Sequence, residues 1–82
     1  MLYAREVIGL LQPFPGREFR MKQILRDVEM GHPPPDEKGR ASMRRAVLRV
    51  LEQLQATGHV GVKPARGRGG SALYFWSLKS AT

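Results

Sequence analysis

The sequence predicts an α+β domain of three helices followed by a β-hairpin. Three observations carry that expectation. Apolar residues recur at helical spacing in three separate stretches, the last third reads as two β-prone runs, and Pro- and Gly-rich segments separate these elements. With 82 residues there is room for one small domain, taken as 1–82, with a single thin core.

The first helix is expected over Leu2–Gln12, where Tyr3, Val7, Leu10 and Leu11 fall at i, i+4, i+7 and i+8. Pro13-Phe14-Pro15-Gly16 stops it, because proline cannot donate to a continuing helix. Glu18-Phe19-Arg20 reads as a short link or one small strand. The second helix is expected over Met21–Met30, with Met21, Ile24, Leu25 and Val28 on one face. Gly31 is expected as its left-handed C-terminal residue. His32 to Gly39 holds three consecutive prolines and reads as a stiff, extended spacer.

The third helix is expected over Ser42–Thr57. Ser42 is the expected N-cap, since its hydroxyl can take an orphan backbone N–H. Met43, Val47, Val50, Leu51 and Leu54 form the apolar stripe, and Gly58 ends the helix. His59–Lys63 and Ala72–Leu78 are the expected strands, joined by the glycine-rich loop Pro64–Ser71. The expected core is Val7, Leu10, Leu11, Ile24, Leu25, Val28, Val47, Val50, Leu51, Leu54, Val60, Val62, Tyr74, Trp76 and Leu78.

Charge is the strongest pointer to function. The chain carries a net +7, and the excess is segregated. Residues 1–37 hold five bases and six acids, a net −1, while residues 38–82 hold nine bases and one acid, a net +8. Solubility needs net charge but not segregation, so a basic half points to a polyanionic partner. There are no cysteines, which removes disulfides, thiolate metal sites and cysteine nucleophiles. The two histidines, His32 and His59, are 27 positions apart without clustered acids, and no cofactor is expected. No Ser-His-Asp set or cofactor fingerprint is present, so the expectation is not an enzyme. No apolar run of spanning length and no secretory leader is found, and a cytoplasmic protein is expected.

The stretch Ser42 to Val60, with Val47, Leu51, Leu54, Gly58 and Val60 in place, is followed by Arg66-Gly67-Arg68 at a hairpin tip and Tyr74-x-Trp76-x-Leu78 in the return strand. This order resembles the winged helix-turn-helix DNA-binding domain of small bacterial transcriptional regulators of the MarR or PadR kind. His59 stands where those families carry an aliphatic residue. The resemblance implies sequence-specific binding of double-stranded DNA, with the third helix in the major groove. The wing, residues 63–71, would lie on the minor groove or on phosphates.

The residues themselves support the same surface. Arg44, Arg45 and Arg49 project from the N-terminal half of the third helix, where backbone N–H groups also favour phosphate and arginine can grip guanine bidentately. The plainer reading is a solvated arginine face; Lys63, Arg66 and Arg68 add bases to the same half and tip the balance. The expected DNA-binding set is Arg40, Ser42, Arg44, Arg45, Arg49, Lys63, Arg66 and Arg68. Leu48 breaks the polar face and is expected to cover the first helix rather than touch thymine methyls. The aromatics Phe14, Phe19, Tyr74 and Trp76 are expected in the core more than on bases. The alternative function is a protein- or RNA-interaction module. Leu73 and Phe75, on the opposite strand face from Tyr74 and Trp76, would then make a homodimer or dock a partner.

Overall fold

The computed structural model describes residues 2–64 and 72–78. The order is α1 (Ala4–Leu11), β1 (Phe19–Arg20), α2 (Met21–Gly31), α3 (Glu37–Ala56), β2 (Val60–Lys63) and β3 (Leu73–Trp76). The fold is α+β, with three helices beside a three-stranded antiparallel sheet in the order β1-β3-β2. Residues 65–71, with Arg66 and Arg68, lie outside the described residues.

Of the two alternatives for the segment after α1, a link or one small strand, the structure has the strand. Phe19 pairs with Tyr74 and Arg20 with Leu73, which places Phe19 on the inner face of the sheet. Phe19 is therefore core, at 5% exposure, although two residues carry no periodic signal of their own. Gly16 N–H donates to the Trp76 carbonyl and ties the preceding loop to β3.

The main correction concerns α3. It begins at Glu37, not after Ser42, and Asp36 is its N-cap, accepting from Gly39 N–H at 2.7 Å. Ser42 is an interior helical residue, so the expected N-cap there is wrong. The reason is local chemistry. Asp36 sits in extended geometry behind three prolines and offers a carboxylate to the third helical N–H. Gly39, in the first turn, packs so closely on Pro35 that an added Cβ would lie 2.9 Å from Pro35 Cδ. The spacer between α2 and α3 shrinks to His32–Asp36. At 20 residues α3 is about 30 Å long.

Two glycine expectations part ways. Gly58 has φ +83 and ends α3 as a left-handed residue, while Gly31 lies within α2 and His32 caps it. Gly61 has a different use. The Phe75 ring lies so close over it that an added Cβ would overlap the ring.

The core joins Val7 and Leu11 of α1, Ile24 and Val28 of α2, and Met43, Val47, Val50 and Leu51 of α3 to Phe19, Val60, Tyr74 and Trp76 of the sheet. Leu10, Leu25 and Leu54 are partly buried around it. Val62 and Leu78 are corrections, at 42% and 67% exposure. Val62 shares the inner face with Tyr74 but sits on edge strand β2, where the helices do not cover it. Leu78 follows the end of β3 and lies beside Gly16. Phe14 is also exposed, against the expectation for the aromatics, and the Arg17 guanidinium stands 5.3 Å from its ring. Arg17 is equally close to Phe19 and shields both rings. None of the described helices is long and apolar enough to cross a membrane.

Candidate nucleic-acid interface

Helix α3 presents its apolar stripe inward, so its remaining faces carry the arginines. Arg40, Arg44, Arg45 and Arg49 are all exposed. Arg45 and Arg49 are one turn apart and line a shallow hollow of about 430 Å³ with Ser42, Ala46 and Leu2. The Ser42 hydroxyl accepts a long hydrogen bond from Arg45 Nη2 at 3.4 Å. Arg40 and Arg44, also one turn apart, lie on the flank that faces α2. Leu48 is exposed between these flanks, at 37%.

The new start of α3 alters the electrostatics. With the N-terminus at Glu37, Arg44 and Arg45 stand in the second and third turns, away from the orphan backbone N–H groups. Those groups instead lie beside Asp36 and Glu37, which complement the helix dipole themselves. Anion attraction at Arg44, Arg45 and Arg49 therefore comes from the side chains alone. No acid lies within ion-pair distance of the three among the described residues.

Two members of the expected set are already engaged. Arg40 Nε pairs with Glu29 of α2 at 3.0 Å, and Lys63 Nζ pairs with Glu18. Exposed pairs of this kind contribute about 0–1 kcal/mol and exchange readily for a stronger anion. Arg66 and Arg68 lie outside the described residues, so the structure does not bring them to or away from α3.

The structure also assembles bases that the halved charge count hid. Lys22 and Arg26 of α2 join Arg40 and Arg44 around a cleft of about 500 Å³, floored by Met21 and Leu25 and closed by Glu29. Arg20 continues the basic surface along α2, with Lys22, Gln23 and Arg26 lining a neighbouring hollow. Segment 1–37 is net −1, yet its acids Glu6, Glu18 and Glu29 are spent on His32, Lys63 and Arg40. The signal available in the sequence was Lys22-x-x-x-Arg26, two bases one helical turn apart.

On the outer sheet face, Leu73 and Phe75 are half-buried, opposite the buried Tyr74 and Trp76. Phe75 and Leu78 line a separate hollow of about 330 Å³ with Gly16, Glu18, Lys63 and Ser77. His59 is exposed; its Nδ1 is 2.7 Å from the Thr57 hydroxyl and its ring leans on Trp76 at 5.6 Å. Among the described residues no group of three metal-ligating side chains converges. No family model, no curated protein and no solved structure matches this chain.

Proposed function

We propose that the chain is a double-stranded DNA-binding domain of the winged helix-turn-helix kind, acting in transcriptional regulation. One observation carries the reading: the exposed side of α3 bears Arg44, Arg45 and Arg49 around an exposed Leu48, with no acid paired to them among the described residues. A helix of this length, backed by a core, fits the major groove, where arginine grips guanine and an apolar side chain meets thymine methyls. The order of three helices and an antiparallel hairpin is compatible with a wing over residues 63–71 that contacts the minor groove or phosphates.

The test is binding to duplexes selected from a random library. Arg45→Ala should lose about 1–3 kcal/mol on the preferred site and much less on random duplex. Equal loss on both would assign Arg45 to phosphate. A domain that ignores duplex DNA at low salt would remove the reading.

A second reading rests on the outer sheet face. Half-buried Leu73 and Phe75, with the exposed Leu78 nearby, fit a homodimer contact or a protein partner. Sedimentation at rising protein concentration distinguishes a dimer from a monomer.

A further inference from the structure

Lys22 and Arg26 are one helical turn apart on α2, and Arg40 and Arg44 are one turn apart on α3. All four line one cleft. Like charges at this spacing repel, and here two such pairs share the same hollow. Lys22, Arg26 and Arg44 have no acid within ion-pair distance among the described residues. Among the described residues the only acid lining the cleft is Glu29, held on Arg40 at 3.0 Å. The floor, Met21 and Leu25, is half-buried and apolar, so the cations are held at the rim around a recess of about 500 Å³.

From this arrangement we propose that the cleft between α2 and α3 is a phosphate-binding site, formed by Lys22, Arg26, Arg40 and Arg44, in which Glu29 competes with phosphate for Arg40. Several guanidinium groups and an ammonium are the donor set that a tetrahedral dianion or a phosphodiester takes, by forked and point contacts together. A bound phosphate offsets the repulsion among the four bases, and Glu29 is its internal stand-in in the free protein. The site adds α2 to the interface proposed above and rests on that reading for the source of the phosphate, a duplex backbone. A free polyphosphate shares the same chemistry and is the second source.

The experiment compares the full chain with Lys22→Ala/Arg26→Ala and with Glu29→Gln. Binding of a 20-base-pair duplex is titrated across salt. Backbone amide shifts are followed as inorganic tripolyphosphate is added. The double variant should bind duplex at least about tenfold more weakly, with a salt slope flatter by about two units. Glu29→Gln should bind about threefold more tightly, a change of sign that a damaged fold cannot produce. Tripolyphosphate should shift amides of α2 and α3 around the cleft in the parent and not in the double variant. If the parent ignores duplex DNA but shows these shifts, the phosphate site stands and the DNA reading falls. If the double variant keeps the parent's duplex affinity and slope, the site is overturned while the DNA reading stands. Unchanged affinity in Glu29→Gln overturns the competitor role, and no response to either ligand overturns both proposals.

Discussion

Leu51 and Leu54 occupy the same stripe of α3, yet they do different work. Leu51 is fully buried, whereas Leu54 is partly exposed at the edge of the core. Leu51→Ala should destabilise by about 2–5 kcal/mol, through lost transfer energy and a cavity in a core with little else to close it. Leu54→Ala should cost less, because water reaches part of that site already. Thermal melting of both variants checks the order, and an equal loss would show that the two positions are packed alike. Glu6 is the other informative residue. Its carboxylate is held below the ordinary value of 4.5, first by backbone hydrogen bonding and then by the side-chain contact with His32 Nε2 at 3.0 Å. A lowered carboxylate pKa adds stability above the unfolded value, and that stability is lost as pH falls through the folded one. Melting temperature should therefore drop below pH 4.5, and His32→Ala should shrink that drop without abolishing it, since the backbone contribution remains. A drop of unchanged size would remove His32 from the account.

Among the elements, α3 shows how a start signal is chosen. Ser42 and Asp36 are both good caps by type. Asp36 wins because Pro35 stops extension behind it and Gly39 lets the first turn close against that proline. Asp36→Ala should cost about 0.5–2 kcal/mol, and Ser42→Ala close to nothing for the fold. Gly39→Ala should fail to deliver the roughly 1 kcal/mol that alanine's helix propensity alone promises, because its Cβ would press on Pro35. Chemical denaturation of the three variants tests the assignment. A large loss in Ser42→Ala would return the helix start to the later position. Nearer the N-terminus, the sequence leaves β1 open between a link and one small strand. Its existence depends on β3 offering Tyr74 and Leu73 as partners, a contact that spans more than 50 residues of sequence.

For the whole molecule, charge governs the expected behaviour. The net +8 of residues 38–82 is joined by Lys22 and Arg26 on the cleft side of α2, while Glu18 and Glu29 are paired with Lys63 and Arg40. If about four to six phosphates are contacted, log K against log salt should have a slope of roughly −4 to −5. A slope shallower than about −1 would mean that this basic surface does not bind the duplex.

By itself the sequence determined the α+β class, three amphipathic helices, most of the buried stripe, the β-prone tail and the basic character, because each is written in local periodicity or composition. Val7, Ile24, Val28, Val47 and Leu51 could be named as core from spacing alone, and all are fully or almost fully buried. Only the tertiary structure decided where α3 begins, that Phe14, Val62 and Leu78 are outside, and that Lys22 and Arg26 stand across a cleft from Arg40 and Arg44. The physical reason is common to all three. A cap competes with other caps through its neighbours, a strand residue is buried only if something covers it, and charges separated in sequence combine when two helices pack side by side.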